Sequence, residues 1–196
     1  AKWHRREPEM AQAEVFCPPP LRPRFRAWGA LLHELREASF EISEPRVAEV
    51  KRQWWAEELL GIAGGRARHP VTGPLRGEAD LGALAGALVA LDAGDARPAD
   101  PAAARERLRP LAHAVADAEA GLFGAAATPA DAEAVAVHLL LHRLPEGLLA
   151  EDQAGLPMNL LARHGVSAAD VAAGRAEALL QDWARALLDA LPPPGR

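Results

Sequence analysis

The sequence predicts an all-α protein. Alanine makes up about a quarter of the 196 residues and leucine is also abundant. Both favour helix, whereas the β-branched residues that favour strands are sparse. No segment alternates apolar and polar residues in strand fashion. Several apolar stretches begin at capping residues and stop at glycine or proline.

The elements follow in order. A short helix is expected from Pro8 to Phe16, stopped by Pro18-Pro19-Pro20. A second runs from about Leu21 to Ile42. Ser43 reads as the N-cap of a third, with Pro45 in its first turn and Glu44 at the positive helix end. That helix carries Val47, Val50, Trp54, Leu59 and Ile62 and ends at Gly64-Gly65. A loop with His69-Pro70 and Gly73-Pro74 leads to a short helix from Asp80 to Leu91. Asp100-Pro101 caps a helix reaching Phe123. Thr128-Pro129 caps another, with Asp131 and Glu133 in its first turn, and Pro145 and Gly147 should kink or end it. After Pro157 comes a short helix to His164-Gly165. Ser167 and Asp170 form a Ser-x-x-Asp capping box. The last helix runs to about Ala190 and stops at Pro192-Pro193-Pro194. With no fixed-period repeat and no long linker, residues 1–196 read as one domain.

Composition narrows the function classes. The formal net charge is −5, which argues against a nucleic-acid binder, since those carry a basic surplus. The single cysteine, Cys17, excludes a disulfide framework. The longest nearly apolar run, Leu81 to Leu91, is too short to cross a bilayer, and no leader-like segment stands at the start of the sequence. A soluble, cytoplasmic protein is expected. Arg5-Arg6 and Arg22, Arg24, Arg26 leave a peripheral contact with acidic lipid or phosphate open; solubilising a helix is their plainer role.

Residue patterns alone give little chemistry. His138 and His142 stand at i and i+4, a metal-chelating spacing without an evident third ligand. Glu34, Glu37, Glu41 and Glu44 share one helical face, suited either to Mg²⁺ or simply to solvent. Trp54 and Trp55 point about 100° apart and read as a core and a boundary residue respectively.

Two segments together resemble the squalene/phytoene synthase family. In Ala27 to Leu75, Glu44-Pro45, Trp54-Trp55, Glu58-Leu59 and His69-Pro70-Val71 match the family's order and spacing. Gly155 to Arg175 is similar to the Leu-Pro and Gly-Val-Ser segments that follow the family's second Asp motif. The resemblance covers about two-thirds of the chain. It implies an isoprenoid-synthase-like helical bundle around an apolar cavity, here C-terminally shortened. In active members two Asp-rich motifs face each other and hold Mg²⁺, which binds prenyl diphosphates for head-to-head coupling.

The chain departs from that pattern where the metals would sit. His33 stands in place of a diphosphate-binding arginine. Arg36, Glu37 and Phe40 occupy the aspartate positions of the first motif, so only Glu37 remains a carboxylate. In the second motif Arg143 is kept, but Leu144 and Leu148 replace both aspartates. The family's Val-Ala-Gly kink becomes Val115-Ala116-Asp117, and tyrosine is absent altogether. With Phe40, the two leucines would turn a charged mouth into an apolar wall. The resemblance therefore implies a degenerate, non-catalytic member acting in binding or assembly, with no cofactor and no metal. The rival reading is a divergent Mg²⁺-dependent prenyl transferase with a metal site rebuilt from Glu34, Glu37, Glu41 and Glu151-Asp152, or Glu146. A third is a plain helical interaction module. An isoprenoid lipid is one ligand the resemblance suggests.

Phe40 is expected to point inward. The C-terminal helix carries Leu179, Leu180, Trp183, Leu187 and Leu188, with Leu191 just beyond. That apolar surface is expected either to hold a protein partner or a second copy of the chain, or to fold back on the domain's own core.

Overall fold

The computed structural model describes residues 8–77, 79–91, 97–146 and 156–193. Helix makes up 76% of it, and no strand occurs among the described residues. The α-helices are α1 (Pro8–Ala13), α2 (Arg22–Arg36), α3 (Pro45–Ala63), α4 (Gly82–Ala90), α5 (Pro101–Phe123), α6 (Pro129–Glu146), α7 (Met158–His164), α8 (Ala168–Ala172) and α9 (Glu177–Leu188). Short 3₁₀ turns lie at Glu14–Phe16, Pro19–Leu21 and Pro70–Leu75, and a π-helical turn at Glu37–Glu41 follows α2 directly.

The caps are where local chemistry places them. Asp100 accepts the Ala103 N–H at 2.8 Å and starts α5. Thr128 and Asp131 exchange hydrogen bonds ahead of α6, and Ser167 and Asp170 form the capping box of α8. α3 departs from the expectation: its N-cap is Glu44 and not Ser43, and no side chain caps it. Pro45 at the first position, which needs no N–H partner, is enough to start it. The long second helix is also corrected. It is α-helical only to Arg36 and then widens into the π-turn, with Ile42 extended. The expected final helix is two helices, because Gly174 takes a left-handed φ of 72° between α8 and α9.

One apolar cluster draws on residues from Ala27 in α2 to Leu187 in α9. α5 and α6 form the most extensive helix pair, and α3 lies on α4. α2 sits against the Pro70–Leu75 turn and is tied to α5 by two long-range bonds. Trp28 Nε1 donates to Glu119 Oε2 at 2.9 Å, and Arg24 donates to the Leu122 carbonyl at 2.6 Å. The start of α7 is fixed by its own backbone, Met158 and Asn159 donating to the carbonyls of Pro98 and Ala99.

Two expected faces are revised. On α3, Val47 and Val50 are exposed, while Ala48, Arg52, Trp55, Glu58, Leu59 and Ile62 turn inward. The order of the tryptophans is also reversed: Trp54, expected as the core residue, lies at the boundary, and Trp55 is the core one. On α9, Leu179, Trp183 and Leu187 are buried against α5, α6 and α7. The stripe offered for a partner is thus covered by the chain's own core; Leu188 and Leu191 stay exposed.

Candidate functional site

The first-motif residues lie where α2 passes into the π-turn. His33 and Arg36 are buried on the last turn of α2. Glu37 opens the π-turn and accepts a hydrogen bond from Lys51 Nζ of α3 at 2.7 Å. A π-turn carries one more residue per turn than the α-helix around it, which re-aims the side chains that follow. Phe40, within this turn, is half-buried and packs on the core, as its inward placement required.

Arg143 of α6 lies over the Phe40 ring, with the guanidinium carbon 4.8 Å from the ring centroid. A first-motif and a second-motif position therefore meet, through a cation on an aromatic face. Burial lowers the Arg143 pKa to about 10, with the nearby Arg107 charge acting in the same direction. Its Nε is fully buried and makes no hydrogen bond among the described residues. Leu144 packs partly buried on the core. Leu148 lies outside the described residues, as do Glu151, Asp152 and the side chain of Glu146.

No family model, curated protein or solved structure matches the chain.

One group of metal-type donors occurs among the described residues: His33, Glu34 and Glu37 place one ligand atom each within 4.8 Å of one another. These could hold a single small cation, but not the cluster that a diphosphate leaving group needs. Lys51 already supplies positive charge to Glu37, and a metal would have to compete with it. Glu41 lies at the end of the π-turn and Glu44 beyond it, so the four-glutamate stripe is not continuous on one α-helix. His138 is exposed and His142 half-buried on α6, and no third donor joins them among the described residues. Val115, Ala116 and Asp117 lie inside α5, which runs unbroken.

A second constellation gathers the Trp-Trp and His-Pro-Val segments. Glu58 is fully buried and accepts from the Arg68 N–H (2.8 Å), the His69 N–H (2.9 Å), the Thr72 hydroxyl (2.7 Å) and Arg68 Nε (3.2 Å). Burial alone would raise its pKa. The bonds from His69, Thr72 and Arg68 outweigh burial and hold it below the usual value. His69 Nδ1 accepts from the Val71 N–H, and its ring stands edge-on to Trp55 (5.1 Å) and Trp54 (6.1 Å). Arg68 covers the Trp54 ring at 5.6 Å.

The resemblance includes Glu58 with the tryptophans and the His-Pro turn, but neither its role as their physical link nor Thr72 was expected from the sequence. The signal was available: Glu58 is one helical turn from Trp55 and Ile62, so a carboxylate falls on the inward stripe. This constellation anchors structure. Both Glu58 carboxylate oxygens and His69 Nδ1 already accept hydrogen bonds from the chain itself.

Proposed function

We propose that the chain is a degenerate relative of the squalene/phytoene synthases, with an isoprenoid-synthase-like helical bundle, that binds or assembles without transferring prenyl groups. The contact between Phe40 and Arg143 supports this reading most. Where the resemblance implies opposed carboxylates bridged by Mg²⁺, a guanidinium faces an aromatic ring. A phenyl ring offers no oxygen to a metal ion, and the arginine kept from the second motif lies over that ring. The surviving carboxylate, Glu37, is engaged by Lys51. Ionising an allylic diphosphate needs positive charge delivered to the leaving group by a cluster of metals, and the one donor trio among the described residues, His33, Glu34 and Glu37, has ligands for a single cation at most.

The deciding experiment incubates the protein with farnesyl or geranylgeranyl diphosphate and Mg²⁺ and follows pyrophosphate release. No release above the protein-free rate is expected. Mg²⁺-dependent release abolished by Glu37→Ala would overturn the proposal. A parallel thermal-shift series with the same lipids, with and without Mg²⁺, tests binding apart from turnover; a Mg²⁺-independent rise in Tm is the expected signature of a retained isoprenoid site. The divergent-transferase reading is favoured by one observation, the His33, Glu34 and Glu37 trio. It requires the Tm rise and the release to depend on Mg²⁺ together.

A further inference from the structure

α3 leaves one long face uncovered. α4 and the π-turn pack on its other side, where Ala48, Trp55, Leu59 and Ile62 are buried. Outward, Val47, Val50 and Trp54 are 53%, 64% and 37% exposed. They stand at i, i+3 and i+7 and so form one apolar line along the helix. Beside it runs a polar line of Arg46, Gln53 and Glu57, all exposed. The Arg46 side chain enters no ion pair among the described residues. Glu57 reaches only the Arg68 guanidinium, at a long 3.7 Å.

Single exposed apolar side chains need no explanation; this face is distinguished by being complementary to itself. A two-fold axis level with Arg52, perpendicular to the plane of the two helices, lays α3 antiparallel on α3 of a second copy. Val50 and Trp54 lie equally far on either side of that axis, so Val50 meets the partner's Trp54, with Val47 flanking the pair. On the polar line Arg46 falls opposite the partner's Glu57. Each contact occurs twice, as a two-fold interface requires. A parallel pairing would instead set Arg46 against Arg46 and Glu57 against Glu57, which like-charge repulsion opposes. With 19 residues, α3 is about 28 Å long. One helix on another gives an interface of the small class, below about 1,200 Å² in total, so the dimer is weak and reversible.

We propose that α3 is the interface of an antiparallel two-fold homodimer, with Val50 and Trp54 at its centre and Arg46–Glu57 pairs beside them. The pairing is independent of whether the first-motif residues transfer prenyl groups. The test is sedimentation velocity on the full chain, from about one to several hundred micromolar. Monomer should pass to dimer with a Kd on the order of tens of micromolar. Val50→Glu should weaken the dimer about tenfold or more with an unchanged far-ultraviolet spectrum, because this side chain points out of the fold. Arg46→Glu and Glu57→Arg, each alone, place like charges opposite one another and should weaken it about tenfold. Mixed together, the two single variants should form a heterodimer, since every Glu then faces an Arg.

A chain that stays monomeric across the whole range, or a dimer undiminished by Val50→Glu, would overturn the proposal. A dimer lost with Val50→Glu but not recovered by mixing the two charge variants would overturn the antiparallel register.

Discussion

A buried carboxylate persists in a fold only if its lone pairs are answered, and at Glu58 four donors from the Arg68–Thr72 segment do so. Glu58→Gln keeps the shape but turns an amide N–H₂ toward those donors. We expect a loss of about 1–3 kcal/mol at neutral pH, read by urea denaturation. The pH dependence has a fixed sign. The folded pKa is lowered, so the stabilisation is complete above the unfolded carboxylate value of about 4.3 and is lost as pH falls through the folded value. The gap between wild type and variant should therefore close on acidification below about pH 4. A gap independent of pH would show that the charge at Glu58 does not matter. Arg143 is the opposite case, a cation held beside Arg107 against its own desolvation and partly compensated by the Phe40 ring. Its pKa of about 10 leaves it charged at neutral pH. Arg143→Met should leave stability within about 1 kcal/mol of wild type or raise it. A loss of several kcal/mol in chemical denaturation would mean that an anion answers this arginine.

At the scale of elements, the break between α8 and α9 rests on the left-handed backbone of Gly174. A Cβ added there meets nothing within 4 Å, so Gly174→Ala tests backbone strain alone. It should cost about 1 kcal/mol in an equilibrium melt; no change would mean that the break is set elsewhere. Trp183 is 1% exposed in α9, so Trp183→Ala should cost about 3–5 kcal/mol. Its size-exclusion profile in native buffer should match that of wild type, and a shift of assembly state would show that α9 still serves an interface. The caps at Asp100, Thr128 and Ser167 were legible in the sequence because a cap is settled within four residues. The inward face of α3 was not. Its stripe includes Arg52 and Glu58, and hydrophobic patterning places polar residues outside unless the distant donors that satisfy them are known. The π-turn was equally hidden, since a 3.6-residue period read across Glu37–Glu41 assumes the geometry that this turn breaks. Of the candidate site, the sequence picked out both motifs and the inward side chain of Phe40. It missed the pairing of that ring with Arg143, because residues so far apart in the chain carry no mark of being neighbours.

For the molecule as a whole, described residues that are 76% helical without a strand predict a far-ultraviolet spectrum with the double minimum of α-helix. A distinct sheet contribution would contradict the fold. The described residues contain no helix long and apolar enough to cross a membrane.

The two bonds that fasten α2 carry a consequence for how the chain is made. Trp28 waits for a partner 91 residues later and Arg24 for one 98 residues later. Arg143, which covers Phe40, comes later still. During synthesis the first third of the protein leaves the ribosome with its tryptophan, His33 and Arg36 lacking the helices that will enclose them. Such distant closure slows folding and lengthens the time that apolar surface meets water. A nascent chain halted ahead of α5 is thus a natural client for chaperones, and one released after α6 is the first that can close this end of its core.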